Sequence, residues 1–256
     1  MYMAQDTDIL GKKIFFLYPS AIVKNRITEE LIQQEFEVYF MKDHQKALSA
    51  LKKYPNSIVF INIYDGMSEK EWDAWVRNVQ DSNETSNVSI GIICQNEDEA
   101  LKRKYINQLK IKAGYIVLKS DLTPAFKQIF ETLMALEAKG RRKYIRVITE
   151  NETNTIVNMP IHGTFVKGSI KDISVVGFSC SFDEDPELTK NSLFNDIQIR
   201  LQSNLLKTEG IVFGSRMDGN SKIYVILFTQ RIDPEVRVKI RSYIHSNLQS
   251  KMDAEP

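Results

Sequence analysis

Two arginines four residues apart, Arg142 and Arg146, are the side chains of this sequence best suited to bind a phosphate-bearing ligand. A spacing of four brings side chains to one side of either a strand or a helix, so the two guanidinium groups can converge. A guanidinium group is planar and permanently charged, its donors fit phosphate or a guanine edge, and it stacks on purines. The pair therefore predicts a local anion site, and we expect the extended segment around Gly140 to be mobile before a ligand arrives.

A second polar group lies at a predicted strand–turn–strand junction, within the segment Asp172-Ile173-Ser174-Val175-Val176-Gly177. An ionised Asp172 only accepts hydrogen bonds, so it can take those of guanine N1–H and N2–H. Ser174 adds a short hydroxyl, and Gly177 permits either close approach of a ligand to the backbone or a positive φ. A fork for phosphate and a carboxylate for guanine together suit a guanine nucleotide.

Each of these groups also has a purely structural interpretation. Arg141, Arg142 and Lys143 could form a solvated basic turn after a helix, where cations suit the negative helix end. Asp172 and Ser174 could simply cap a turn, which is a common use of both residue types. The occurrence of both motifs in one chain favours the binding site over either structural interpretation.

The first half of the chain predicts an α/β domain over residues 1–139. Short apolar runs alternate with helical patterns between Lys12 and Lys139, which is typical of a parallel sheet flanked by helices. Ser68, followed by Glu71 three residues later, predicts a capping box at the start of the third helix.

The second half, residues 140–256, predicts an all-β domain that ends in a helix. Dense short strands separated by turn signals are typical of an antiparallel barrel or sandwich. The predicted strands are 144–149, 155–159, 164–173, 177–182, 197–201, 209–213 and 223–229, and the predicted final helix is 234–248.

The first domain resembles the receiver domain of response regulators in architecture. A working receiver needs an acidic pair after its first strand to hold Mg²⁺ and an aspartate at the end of its third strand as phosphoryl acceptor. Here those positions hold Tyr18-Pro19 and Asn62, an amide that cannot form an acyl phosphate, although Lys119 matches the receiver lysine. We expect a pseudo-receiver used for packing or partner binding, with modification of Asp65 or another residue as the alternative.

The second domain resembles the PilZ family, whose pattern is Arg-x-x-x-Arg followed, after intervening β-strands, by Asp/Asn-x-Ser-x-x-Gly. Arg142, Arg146, Asp172, Ser174 and Gly177 fill the five motif positions. The resemblance implies a six-stranded antiparallel barrel with a helix near its C-terminus. It also implies cyclic di-GMP as the ligand, with the arginines on its phosphates and the other three residues on its guanine edges.

The PilZ resemblance also implies a role for Arg141, the residue just before the first motif arginine. In the family, an arginine at this position tends to accompany an intercalated ligand dimer. The implied function is that of a bacterial cyclic di-GMP effector, active in second-messenger signalling such as motility regulation. Ligand capture would change the interdomain arrangement and the binding of an unidentified protein partner. The alternative is a PilZ-like interaction scaffold that no longer binds nucleotide.

Composition and net charge bear on whether the protein binds nucleic acid, enters a membrane or acts as an enzyme. The 256 residues carry a formal net charge of +1, so no global field draws the chain to nucleic acid, and none is expected as a partner. The apolar runs fall short of the ~20 residues that span a bilayer, and residues 1–11 lack a signal-peptide pattern. We therefore expect a cytoplasmic protein without membrane insertion, with free Cys94 and Cys180. The sequence shows no catalytic or metal-binding signature, so neither an enzyme nor a cofactor is expected.

Overall fold

The computed structural model describes residues 11–149 and 152–255. The chain divides into two compact units, one formed by the residues up to Lys143 with those from Lys251 onward, and the other by Tyr144–Ser250. The expectation that the chain lacks a signal peptide rests on residues that lie, apart from Gly11, outside the described range.

The first unit contains a five-stranded sheet whose paired strands all run parallel, which confirms the predicted α/β architecture. Its strands are β1 (Ile14–Leu17), β2 (Val38–Met41), β3 (Ile58–Ile61), β4 (Ser89–Cys94) and β5 (Tyr115–Val117). Their order is β2-β1-β3-β4-β5. Every side chain of β1 and β3 is buried and apolar, as expected for central strands covered on both faces.

Within the described residues, five α-helices accompany this sheet, and two of them adjoin a π-helical turn. They are α1 (Thr28–Gln33), α2 (His44–Lys53), α3 (Glu69–Asp81), α4 (Glu99–Arg103) and α5 (Thr123–Ala135). The π turns, Val23–Ile27 and Lys104–Gln108, precede α1 and follow α4. Helix α3 begins with the predicted capping box, since Ser68 and Glu71 each bond the other's backbone N–H.

The second unit is an antiparallel barrel with a C-terminal helix, as predicted. Its strands are β6 (Arg146–Ile148), β7 (Thr155–Ile161), β8 (Thr164–Ser174), β9 (Gly177–Phe182), β10 (Leu193–Leu201), β11 (Asn204–Asp218) and β12 (Ser221–Phe228). Six of them pair in the order β8-β7-β10-β11-β12-β9, and pairing of β9 with β8 closes the barrel. Helix α6 (Pro234–Asp253) adds Val236, Ile240 and Ile244 to the barrel core.

Strand β6 is a short seventh strand that extends one side of β8. The first half of β8 pairs with β7, up to Ser169 opposite Ile156. Beyond that point β6 takes over as the partner, with Arg146 opposite Ser174 and Ile148 opposite Asp172. The ladder thus brings the strand of the second motif arginine directly beside the strand of the motif aspartate.

A bulge in β8 decides which way the motif residues point. The pairing of β8 with β9 shifts register between Ile170 and Asp172, so that Ile170 and Ile173 are both buried in the core. Without an extra residue, side chains three apart would lie on opposite faces of the sheet. Because Ile173 points inward, its neighbour Asp172 is directed away from the core.

Both cysteines are free and buried, as expected. Burial raises the pKa of the Cys180 thiol to about 12, so the reactive thiolate is scarce at neutral pH. Among the described residues, no helix combines the length and the apolarity needed to cross a bilayer.

The loop between β9 and β10 is fastened to β12 through Asp185. This carboxylate accepts hydrogen bonds from the Tyr224 hydroxyl and from Lys222 Nζ, the latter at 2.9 Å. It also accepts one from the backbone N–H of Glu187 at 2.9 Å. The Tyr224 hydrogen bond, followed by those from Lys222 and Glu187, lowers the pKa of Asp185 to about 2.

We expect the replacement Asp185→Asn to destabilise the barrel at neutral pH but not in acid. A carboxylate whose pKa is lower in the folded state than its value of 3.8 in the unfolded chain stabilises the fold above that value. The contribution disappears as the pH falls towards 2. Urea unfolding gives the free energy of unfolding of wild type and variant across this pH range, and the difference between the two should shrink as the pH falls. Asp183→Asn, in the same loop, is the control. A constant difference would contradict the assignment.

Candidate functional site

The structure brings together Arg146 and Asp172, the two charged motif residues that lie within the barrel unit. Arg146 Nη1 donates to Asp172 Oδ1 at 3.3 Å. The arginine side chain is 41% exposed and the aspartate side chain 20% exposed, so the guanidinium can turn towards a ligand while the carboxylate is partly enclosed. The contact is a diagonal one. Ser174 of β8 lies directly opposite Arg146, and Asp172 lies two residues before Ser174 on β8.

Asp172 has a second partner on its other side, in β9. Its Oδ2 atom accepts a hydrogen bond from the Ser179 hydroxyl, and the two residues face each other directly across the β8–β9 ladder. Ser179 is 2% exposed, so its hydroxyl is a buried donor. Sequence reasoning missed this residue, although it alternates along β9 with the core residues Phe178 and Cys180. The alternation predicts its face, but only the register reveals its partner.

Ser174 and Gly177 form the ends of the two-residue turn between β8 and β9. The Ser174 hydroxyl donates to the Gly177 carbonyl at 3.1 Å and accepts from the Val176 N–H at 3.4 Å. Ser174 is 1% exposed, and these two hydrogen bonds of its hydroxyl stabilise the turn. The turn is further tied to β12 by a hydrogen bond from Phe228 N–H to the Val176 carbonyl, 2.9 Å long.

Gly177 is required by close approach of the backbone rather than by a positive φ. It is absent from the residues with positive φ. A Cβ atom built at this position would lie 2.2 Å from the Ile226 carbonyl oxygen and 3.0 Å from Leu227 Cα. Of the two uses that the sequence left open, the structure therefore shows a close approach, and the approaching group is the neighbouring strand β12.

Arg141 and Arg142 lie in the irregular segment that joins α5 to β6, and both are exposed. They belong to the first compact unit, whereas Arg146 belongs to the second. The participation of Arg141 and Arg142 in one site with Asp172 therefore remains a prediction.

The site offers hydrogen-bond donors and acceptors side by side on the barrel. Asp172 has two carboxylate oxygens with room for about four hydrogen bonds. Arg146 and Ser179 each use one of those oxygens. The remaining lone pairs can accept from the paired N–H groups of a purine edge, while the other donors of Arg146 stay available to an anion. These are the requirements of a guanine nucleotide.

The first unit has no comparable chemistry where a receiver keeps its phosphorylation site. At the end of β3, the Asn62 side-chain amide donates to the Tyr18 carbonyl at 3.1 Å. The Tyr18 ring packs edge-on against the buried Trp72, with 5.9 Å between ring centroids. A Cβ at Gly66 would lie 2.4 Å from the Tyr18 ring, so this edge of the sheet is closely packed. Within the described residues, no three His, Cys, Asp or Glu side chains are placed to hold a metal ion.

We expect a small phosphodonor such as acetyl phosphate to leave no stable label on the first unit. Asn62 lacks a nucleophilic oxygen, and Asp65 is an exposed loop residue whose Oδ1 accepts from the Gly66 N–H at 2.8 Å. Mass spectrometry of the treated protein checks this, with Asp65→Asn as the matched control. An acid-stable, hydroxylamine-sensitive label present in wild type and missing from that variant would overturn the pseudo-receiver interpretation.

Comparison with known proteins finds similarity at the level of structure. The chain is similar to the PilZ domain of YcgR from Escherichia coli solved with c-di-GMP (16% identity, 45% of this chain, 99% of that chain, TM-score 0.38). It is also similar to MrkH of K. pneumonia in complex with c-di-GMP (15% identity, 46% of this chain, TM-score 0.41). The match covers only 57% of the MrkH chain.

A third similar structure is the Mn²⁺-bound response regulator Rcp1, at 15% identity over 49% of this chain and 95% of that one, with a TM-score of 0.39. The similar structures thus include a PilZ domain and a response regulator. No family model matches the sequence, and no curated protein matches it.

Proposed function

We propose that this protein is a receptor for cyclic di-GMP that acts in the cytoplasm as an effector rather than as an enzyme. The observation that supports the proposal most strongly is the contact between Arg146 and Asp172, 3.3 Å long, across neighbouring strands. One residue from each of two motifs that are separate in sequence, Arg146 and Asp172, thus lies beside the other in the barrel unit. Ser174 and Gly177 form the turn that follows Asp172 between β8 and β9.

The chemistry of the site favours a guanine dinucleotide over other anions. A carboxylate accepts from guanine N1–H and N2–H, whereas adenine offers no such pair of donors on that edge. Arg146, joined by the exposed Arg142 and Arg141, supplies the donors and positive charge for two phosphates. Because the net charge of the chain is only +1, the attraction for the ligand has to come from this local cluster.

Binding would also act on the segment that joins the two units. Arg142 precedes and Arg146 follows the point where the chain passes from one compact unit to the other. A ligand held by both arginines would restrict this irregular segment and select among interdomain arrangements, which changes the surface offered to a protein partner. Small-angle scattering at ligand saturation tests this step, and an unchanged profile would remove the rearrangement while leaving the binding intact.

Titration with cyclic di-GMP, followed by fluorescence of a labelled analogue, tests the binding itself. Wild type should bind saturably, and Asp172→Ala should weaken binding because the guanine edge loses its acceptor. Asp183→Ala, an exposed aspartate in the loop after β9, serves as control. An absence of binding by wild type would instead support the alternative, a PilZ-like scaffold that engages only protein partners.

A further inference from the structure

Ser179 stands outside the motif and has no expected part in binding, yet it holds the motif carboxylate. Its buried hydroxyl donates to Asp172 Oδ2, the oxygen that Arg146 does not use. Ser179 is fixed in turn by the ladder on both sides, since its residue pairs with Asp172 of β8 and with Val225 of β12. A short side chain on a doubly paired strand has little freedom to move.

Asp172, by contrast, would have rotational freedom without this partner. The plane of a carboxylate rotates about a broad two-fold torsion, so hydrogen bonds to fixed partners decide where its lone pairs point. Arg146 is a poor anchor for this purpose, because its side chain is long and 41% exposed. The buried hydroxyl of Ser179 is therefore the contact that sets the orientation of the acceptor.

We infer that Ser179 is a positioning residue that aims the Asp172 carboxylate at the guanine edge and so sharpens selection of guanine over related bases. The inference rests on the proposed cyclic di-GMP function and deepens it. A correctly aimed carboxylate accepts from both N1–H and N2–H, whereas a rotating one pairs with one donor at a time.

The test compares the affinities of Ser179→Ala for cyclic di-GMP and for cyclic di-IMP, which keeps N1–H but lacks the 2-amino group. Wild type should prefer cyclic di-GMP. The variant should bind cyclic di-GMP about three- to tenfold more weakly, with a smaller loss for cyclic di-IMP, so that the preference shrinks. Ser179→Cys keeps the shape of the side chain, slightly enlarged, with a weaker donor and should show the same reduced preference.

Ser181→Ala is the matched control, because Ser181 lies two residues further along β9 and pairs with Ser169 rather than with Asp172. An unaltered preference in both Ser179 variants overturns the inference, as does an equal loss for the two ligands, which indicates general damage to the fold. Failure of wild type to bind cyclic di-GMP is a separate outcome, and it removes the proposed function itself.

Discussion

Replacing Arg146 with alanine should lower the affinity for cyclic di-GMP roughly ten- to a hundredfold. The reason is the loss of a charge-assisted contact, worth about 1.5–3 kcal/mol, from the guanidinium group that the structure already places beside Asp172. The thermal stability should change little, since an ion pair this exposed contributes only about 0–1 kcal/mol. Calorimetric titration and a melting curve of the same preparation measure both quantities.

Two further variants make the Arg146 result specific. Arg146→Lys keeps the charge but not the planar fork, so an intermediate affinity is expected. Arg216→Ala removes an exposed arginine of β11 that lies outside the motif, and its affinity should match wild type. Equal losses in the Arg146 and Arg216 variants would indicate attraction by general charge rather than a defined site.

Replacing Gly177 with alanine should destabilise the barrel by about 1–3 kcal/mol, the usual range for overpacking a filled interior. The added Cβ would lie 2.2 Å from the Ile226 carbonyl oxygen, so β9 and β12 would have to separate at the turn that carries the motif. The melting temperature should fall by several degrees. Affinity measured well below the melting transition should also fall, because the same separation displaces Asp172.

Gly214→Ala is the appropriate control for this substitution. A Cβ at Gly214 of β11 meets nothing within 4 Å, and this glycine does not adopt a positive φ. It should therefore melt close to wild type. A Gly177→Ala protein as stable as the Gly214→Ala protein would show that the close approach of β12 does not constrain this position.

The sequence predicted the sheet of the first unit well, because continuous apolar runs such as Ile58–Ile61 are typical of buried parallel strands. It predicted β11 poorly, as 209–213 instead of Asn204–Asp218. The missed hairpin turns at Gln202-Ser203, where Gln202 has a φ of 55°. Ser203 is a common turn residue, but Gln202, which takes the positive φ, is not one of the residue types that usually adopt it.

The candidate site was predicted as a set of residues but not as a geometry. Alternation from Ile170 would place Asp172 on the core side of β8, and the bulge that reverses this leaves no mark in the sequence. The partner role of Ser179 depends on strand register, which short-range pattern cannot supply. In the first unit, the sequence predicted the loss of the phosphoryl acceptor, because Asn62 occupies its position. It did not predict that Tyr18 packs at this edge of the sheet, because that contact depends on the tertiary structure.

Calorimetric titration of the wild-type protein with cyclic di-GMP and, separately, with cyclic di-AMP tests whether the barrel site binds and selects a guanine dinucleotide. We expect saturable binding of the guanine dinucleotide and much weaker binding of the adenine one, because Asp172 offers acceptors where adenine lacks the matching donors. Equal binding of the two dinucleotides would contradict the role of Asp172. Absence of heat with cyclic di-GMP, confirmed by a second binding method, would contradict the receptor function.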